Sequence, residues 1–223
     1  MESNEIKKKA KGISLRLVVI TLIFLLSLFV FAGIADEMVL ENENNLDRSV
    51  FHHLAAITNL SMTRVMVIIT FFGSSYFLLP AYALLIFYFL VFRKDRRQSL
   101  NVAAFAVIST IILFSLKAIF HRHRPLDPLV NNVNGFSFPS GHSFSSFTFF
   151  GLLIYILWKN PLNNAVRWVL TIFFFLFACA IAFSRVYLHV HYASDVVAGF
   201  CLCLVWLILS FWALEKLNQR HMI

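Results

Sequence analysis

Three short polar clusters interrupt a chain whose 223 residues are 60% hydrophobic and only 13% charged. They occupy residues 117–125, 139–142 and 184–195, and together they hold five of the eight histidines. Polar residues at the ends of very apolar helices are costly, and they usually mark a functional site. The residue types in these clusters therefore indicate which chemistry the chain performs.

The clusters supply three cations, Lys117, Arg124 and Arg185. The planar fork of an arginine matches the oxygen atoms of a phosphate group. Ser140 and Gly141 stand where a helix is predicted to begin. The free backbone N–H groups and the dipole of a helix start attract anions. This combination predicts a phosphate-binding site.

His191 and Asp195 are four residues apart, which places them one above the other on a helix face. The carboxylate can hold one imidazole nitrogen as N–H and leave the other nitrogen free to attack phosphorus. His142 supplies a second imidazole as a proton donor. Together with the cations, these residues predict phosphoryl transfer through a phosphohistidine intermediate.

The spacing of these residues resembles that of the type 2 phosphatidic acid phosphatase family, in particular its bacterial phosphatidylglycerophosphatase B and undecaprenyl-diphosphatase members. The matching motifs are Lys117 with six residues before Arg124-Pro125, then Pro139-Ser140-Gly141-His142, then Ser184-Arg185 with His191 and Asp195. All three are complete and in order. The family shares its site with bacterial acid phosphatases and vanadium haloperoxidases. His189 and Ala193 stand where many relatives have Gly and Pro.

The resemblance implies a role for each residue. His191 is the nucleophile, Asp195 orients it, and His142 protonates the leaving oxygen. The residues that hold the phosphoryl oxygens are Lys117, Arg124, Ser140, Gly141 and Arg185. No metal and no cofactor is expected, because the three polar clusters contain a single carboxylate, Asp195, and the histidine spacing fits no common zinc pattern.

Several of these residues also have a structural interpretation. Lys117 can be a lysine that extends its amine to the membrane interface. Ser140 can be an ordinary helix cap, and Asp195 a cap of the last helix. The convergence of all of them at one spacing favours the phosphate site. For His121 and His123, an ordinary loop position or contact with lipid headgroups is preferred over catalysis, and His52 and His53 are expected to face headgroups.

The charge-poor stretches predict how the chain is organised. A helix needs about 20 mostly apolar residues to cross the hydrocarbon core, and six such stretches are present. The predicted spans are approximately residues 15–35, 76–92, 99–118, 142–158, 166–184 and 194–214. The chain is therefore expected to be all-α, a six-transmembrane-helix bundle that forms a single membrane domain over residues 1–223.

The segment of residues 47–73 does not fit a seventh span. Val50, Leu54 and Ile57 recur at helical spacing, with Arg48 and His52 on other faces. This pattern favours an amphipathic helix that lies at the membrane interface between the first two spans. Residues 62–72 are too few to cross alone, and they are expected to dip into the membrane or pack against the bundle.

The lysine and arginine residues predict the orientation. Thirteen of the nineteen fall in the N-terminal segment, two of the connections between spans and the C-terminal tail. Such residues collect on the cytoplasmic side, so both termini are expected there and the three polar clusters on the outer face. A signal peptide is the alternative for the first span, but its 19-residue apolar run favours a retained helix. Topology thus explains the net charge of +8, and nucleic acid is not an expected partner.

The expected function is that of a metal-independent lipid phosphatase of a bacterial cell envelope, with its site open to the outer face of the cytoplasmic membrane. By resemblance, the candidate substrates are undecaprenyl diphosphate, phosphatidylglycerophosphate and phosphatidic acid. A lipid-to-lipid phosphotransferase would use the same residues, with an alcohol in place of water. A non-catalytic lipid transporter or binding protein is the remaining alternative, and the spacing of His191 and Asp195 disfavours it.

Overall fold

The structure is a computed structural model that describes residues 2–40, 45–131 and 133–219, with side chains described over residues 15–37, 45–131 and 133–216. Within these residues every regular element is a helix. The α-helices are α1 (Glu2–Ile34), α2 (Asn45–Ala55), α3 (Leu60–Phe71), α4 (Ser75–Phe87), α5 (Arg96–Phe120), α6 (Gly141–Lys159), α7 (Asn164–Tyr187) and α8 (Ala193–Gln219). π-Helical turns follow α1 at Ala35–Leu40 and α4 at Tyr88–Phe92. Part of the predicted orientation rests on residues outside this description, namely the side chains of Lys7, Lys8, Lys9 and Lys11 and the whole of Arg220.

In the part of the chain that the structure describes, six helical stretches are long and apolar enough to cross a membrane, which confirms the predicted all-α six-helix bundle. They are Leu15–Glu37, Leu60–Phe92, Arg96–Phe120, Gly141–Lys159, Asn164–Tyr187 and Ala193–Lys216. Large apolar side chains face outward on them, with Phe29 76% exposed and Leu17 61% exposed. This exposure is expected of side chains that contact lipid tails, and the chain is a multi-pass membrane protein.

The second span begins at Leu60, well before the predicted start near residue 76, because α3 and α4 together form it. A short turn at Gly73 joins the two helices. A Cβ atom at Gly73 would lie 2.5 Å from Ile181 Cγ2 and 2.8 Å from Ser146 Oγ, so a glycine lets this turn approach α6 and α7 closely. The sequence pattern predicts that the second span begins after this glycine, whereas Gly73 is a contact point inside the span.

Helix α2 is the amphipathic helix predicted between the first two spans. It buries Leu54, with Phe51 beside it, against the end of α7 and the turn that follows. Its exposed face carries His52 and His53. Asp47, in its first turn, is only 1% exposed, which is unusual for a carboxylate on an interfacial helix.

Helix α6 lies at the centre of the bundle and packs against both α7 and α8. Its side chains Phe144, Phe149 and Phe150 belong to an apolar core that also contains Ile181 of α7. Ser140 caps the helix, since its Oγ accepts a hydrogen bond from Ser143 N at 3.4 Å. The packing of α6 therefore fixes where its N-terminus, and the polar cluster on it, comes to lie.

Gly199 of α8 lets that helix approach the first turn of α6. A Cβ atom at this position would lie 2.9 Å from Ser140 O and 3.2 Å from Phe144 N, which are backbone atoms that cannot rotate away. Because overpacking costs about 1–3 kcal/mol, we expect Gly199→Ala to lower the melting temperature by roughly 5 °C. It should also lower activity, since the displaced turn carries Ser140 and Gly141.

Gly151→Ala is the matched control on α6. Its added Cβ would meet only the end of the flexible Leu207 side chain, at 2.6 Å, which can change rotamer. Thermal unfolding in detergent compares the two variants. A melting temperature for Gly199→Ala that equals that of Gly151→Ala would contradict the close approach of α8 to α6.

Candidate active site

A cavity of about 470 Å³ opens between α4, α5 and α6. Its polar end is lined by Lys117, Arg124, Gly141, His142, Arg185 and His191. Its other end is lined by apolar side chains of α4 and α5, among them Leu78, Leu79, Ala106, Leu113 and Phe114. Leu79 and Phe114 are more than 60% exposed, so this end faces the surrounding lipid. The cavity therefore joins a cationic pocket to a lateral apolar groove.

His191 lies in the turn between α7 and α8 and is 1% exposed. Its Nδ1 is 3.4 Å from Asp195 Oδ2, and its Nε2 is 3.3 Å from Arg124 Nη1. A guanidinium can only donate, so this arrangement favours the tautomer with the proton on Nδ1 and the lone pair on Nε2. The lone pair then faces the cationic end of the cavity.

The surroundings of His191 keep its imidazole neutral. Burial lowers the pKa of His191 well below its ordinary value, and the nearby charges of Arg185, Arg124 and Lys117 lower it further. A neutral imidazole has the free electron pair that nucleophilic attack requires. At neutral pH the side chain is therefore in its reactive form.

Asp195 is completely buried in the first turn of α8. Its Oδ2 faces His191 Nδ1 and also accepts a hydrogen bond from Tyr192 N at 3.0 Å. Its backbone oxygen accepts a hydrogen bond from Ser140 N at 3.0 Å, which joins the start of α8 to the start of α6. The residue is thus more than a helix cap, because it connects the second and third polar clusters.

Lys117 and Arg124 are held by backbone carbonyl groups. Lys117 Nζ donates to Phe136 O at 2.7 Å. Arg124 donates from Nη1 to Val190 O at 2.7 Å and from Nε to Gly135 O at 2.9 Å. These neutral acceptors orient the two cations without neutralising them, so their charge remains available to an anion.

Arg185, at the end of α7, is 8% exposed and lines the same cavity. Its Nη1 donates to Thr70 Oγ1 at 2.7 Å, while its Nε is buried and has no hydrogen-bond partner among the described residues. Across the residues whose side chains are described, neither Arg185 nor Lys117 nor Arg124 has a carboxylate within 4.0 Å. An unpaired buried donor is costly, and a phosphate oxygen is the kind of acceptor it lacks.

The structure brings all eight residues predicted for the site together. Six line the cavity, while Ser140 and Asp195 lie directly behind it and support Gly141 and His191. His121 and His123 are exposed side chains and do not line the cavity. His189 packs against Phe51 of α2, with ring centroids 4.8 Å apart.

Sequence reasoning missed two charged residues next to the site. Arg122 Nη1 donates to Asp195 Oδ1 at 2.7 Å, and its Nη2 donates to Asp47 Oδ2 at 2.9 Å. Arg122 is hidden among the variable positions of the first polar cluster, and Asp47 belongs to the interfacial helix. The one signal that could have indicated Asp47 is its place on the same side of α2 as the buried Leu54, seven residues later.

The chain is also similar in sequence to known proteins. The model of the PAP2 superfamily matches residues 98–219. A phosphatidylglycerophosphatase B of Bacillus subtilis (strain 168) is 31% identical over 196 residues, which cover 86% of this chain and 96% of that protein. A dolichyldiphosphatase of Saccharomyces cerevisiae is 33% identical over 138 residues, which cover 58% of this chain and 57% of that protein.

The fold is also similar to a solved structure. The crystal structure of a transmembrane PAP2-type phosphatidylglycerolphosphate phosphatase from Bacillus subtilis superposes with a TM-score of 0.78 and 29% sequence identity. The match covers 86% of this chain and 96% of that one. The similarity in fold therefore extends over most of both chains.

Proposed function

Because this chain belongs to the PAP2 superfamily, we propose that its cationic cavity removes a phosphate group from a membrane lipid by way of a phosphohistidine. One observation carries the proposal. Three cations that have no carboxylate within 4.0 Å among the described side chains line the same cavity as His191, whose Nε2 lies beside Arg124. Such a cradle attracts a phosphate group and places its phosphorus in front of a nucleophile.

In the first step, His191 Nε2 attacks phosphorus while the bond from phosphorus to the leaving oxygen breaks. His142 donates a proton to that oxygen, so the lipid departs as a neutral alcohol or as a protonated phosphate. Lys117, Arg124 and Arg185 stabilise the charge on the three equatorial oxygens. Asp195 holds the Nδ1 proton and stabilises the positive charge that develops on the imidazole.

In the second step, a water molecule attacks the phosphohistidine from the side that the lipid has left. His142, now neutral, accepts a proton from this water. The bond between phosphorus and Nε2 breaks, its electron pair returns to His191, and inorganic phosphate is released. The enzyme is then in its starting state, and no metal ion takes part in either step.

The substrate is proposed to be a lipid phosphate whose tail occupies the lateral groove between α4 and α5. Candidates are undecaprenyl diphosphate, phosphatidylglycerophosphate and phosphatidic acid, the first two of which agree with the kinds of substrate that the relatives' names state. The groove supports a lipid because its exposed apolar walls leave a tail in contact with the bilayer. The phosphate-binding residues contact only the headgroup.

Phosphate release in detergent tests the proposal. The purified protein is incubated with each candidate lipid in the presence of EDTA, and inorganic phosphate is measured. We expect release from at least one of them, inhibition by vanadate and no release by His191→Ala. Release that disappears with EDTA, or that survives in His191→Ala, would refute the metal-free histidine mechanism.

Thr110 of α5 provides a test of the groove. Its side chain is exposed and lines the cavity at its apolar end. We expect Thr110→Phe to raise KM for a long-chain lipid phosphate about 10-fold, because the added ring occupies the space of the tail. KM for a soluble aryl phosphate should stay the same, since its phosphate site is untouched.

Ile108→Phe is the matched control, because this exposed side chain of the same helix is not part of the cavity lining. Steady-state kinetics with both substrates compare the two variants. Equal KM values for the long-chain lipid in Thr110→Phe and Ile108→Phe would contradict the groove.

For the orientation, we propose that both termini are cytoplasmic and that the site faces outward. The distribution of lysine and arginine between the connections supports it. C-terminal fusions to a reporter that is active only in the cytoplasm measure it directly. Activity of that reporter is expected, and activity of a reporter that works only outside the membrane would contradict it.

A further inference from the structure

Arg122 occupies an unusual position for an arginine in a surface connection. It follows α5 by two residues, yet it is only 8% exposed. Its Nη2 is 2.9 Å from Asp47 Oδ2, and its Nη1 is 2.7 Å from Asp195 Oδ1. Both carboxylates are almost completely buried, so a single guanidinium lies between two buried acidic groups. Burying three charged groups has a large desolvation cost, so this arrangement is weak evidence for stability and calls for another explanation.

Asp47 also holds the beginning of α8. Its Oδ1 accepts a hydrogen bond from Ser194 N at 2.9 Å, and its Oδ2 accepts one from Ser194 Oγ at 2.6 Å. Arg122 Nη1 donates to the same Ser194 Oγ at 2.8 Å. A carboxylate at a helix N-terminus is stabilising, and here it comes from a different helix, α2. The network therefore ties α2 to the turn of α8 that carries Asp195.

The two oxygens of Asp195 have separate partners. Oδ1 is bound by Arg122, whereas Oδ2 faces His191 Nδ1 and Tyr192 N. The guanidinium also lies over the Tyr192 ring, 4.1 Å from its centroid, which restricts where it can move. With Oδ1 fixed in this way, rotation of the carboxylate away from His191 is blocked.

We propose that Arg122 and Asp47 are positioning residues for phosphoryl transfer, which hold the Asp195 carboxylate so that its Oδ2 orients His191. This inference rests on the proposed function. In the described part of the chain, neither residue lines the cavity, so neither contacts the phosphate. Their effect is expected on the rate of the chemical step and not on substrate binding. The proposal also gives the interfacial helix a function, since it supplies a supporting carboxylate to the site.

The two charges should act on His191 in opposite directions. The charged or titratable groups that face this imidazole are Lys117, Arg124, His142, Arg185 and Asp195. Loss of the Arg122 charge leaves more of the Asp195 negative charge uncompensated, which favours the protonated imidazole. Loss of the Asp47 charge leaves the Arg122 guanidinium uncompensated, which disfavours the protonated imidazole of His191. The acid limb of kcat therefore moves to higher pH in the first case and to lower pH in the second.

Arg122→Gln, Arg122→Lys and Asp47→Asn test this proposal in purified full-length protein. We expect kcat to fall about 100-fold in Arg122→Gln and about 10-fold in Asp47→Asn, with KM within about twofold of the wild type. Arg122→Lys keeps the charge but loses the two-pronged geometry, so it should give an intermediate kcat. The acid limb of kcat should move by roughly half a pH unit in the two directions given above.

Arg48→Gln is the matched control, because Arg48 is the exposed neighbour of Asp47 on the same helix. It should leave kcat, KM and the pH profile unchanged. If Arg122→Gln does not yield folded protein, Asp47→Asn and Arg122→Lys decide the question. Two results would overturn the positioning role. One is lower thermal stability with unchanged kcat, and the other is an acid limb of kcat that stays at the wild-type pH in both Arg122→Gln and Asp47→Asn. An active His191→Ala would instead refute the phosphohistidine mechanism, which separates the two failures.

Discussion

His191→Gln is expected to lower kcat for lipid phosphate hydrolysis by at least about 10⁴-fold, because it removes the atom that bonds to phosphorus. Substrate binding should survive, since the cations that hold the phosphate are unchanged. Phosphate release and vanadate binding, measured on the same preparation, distinguish loss of chemistry from loss of the site.

Asp195→Asn is expected to lower kcat by about 10²–10⁴-fold, because an amide can hold His191 in the wrong tautomer. The double variant His191→Gln/Asp195→Asn should be no slower than His191→Gln alone, since Asp195 acts only through the histidine. His53→Gln, an exposed histidine of α2, is the matched control and should retain wild-type activity. A His191→Gln variant with more than a few per cent of wild-type kcat would contradict the account.

His142→Gln is expected to have an effect that depends on the leaving group. With a lipid whose leaving group is an alcohol, kcat should fall about 10³-fold, because the departing oxygen needs the proton of His142. With p-nitrophenyl phosphate, whose phenolate leaves without a proton, formation of the phosphohistidine should be almost normal. Hydrolysis of the phosphohistidine should still be slow, because the attacking water has lost His142 as its base.

Rapid-mixing kinetics measure this difference. A burst of nitrophenolate, followed by slow turnover, is the expected result for His142→Gln. Ser145→Ala is a matched control, since Ser145 lines the same cavity from α6 and is given no role in the reaction. Equal losses for the alcohol and phenol substrates, without a burst, would contradict the assignment of His142 as the proton donor.

Much of the fold was predictable because a membrane imposes a simple rule on the sequence. Charged residues lie at the ends of most spans, so gaps such as that between Arg97 and Lys117 mark the helices. The start of the second span was not predictable in this way. Gly73 has the pattern of a turn, and only the position of Ile181 in α7 shows that the turn lies inside the bundle.

The candidate site was predictable as a set of residues because the side chains that contact phosphate have few chemical alternatives. Lys117, Arg124 and Arg185 are informative by type and spacing alone. The support of Asp195 by Arg122 and Asp47 was not predictable, since the contact between these two joins positions 75 residues apart. Either residue, viewed singly, resembles an ordinary interfacial charge.

Trapping the covalent intermediate tests directly whether His191 carries the phosphoryl group. His142→Gln is mixed with ³²P-labelled p-nitrophenyl phosphate, quenched in base and digested, and the labelled peptide is identified by mass spectrometry. A label that is stable in base and labile in acid is expected on the peptide that carries His191, and no label is expected in the double variant His142→Gln/His191→Gln. A label on another residue, or free phosphate formed without any labelled protein, would contradict this role of His191.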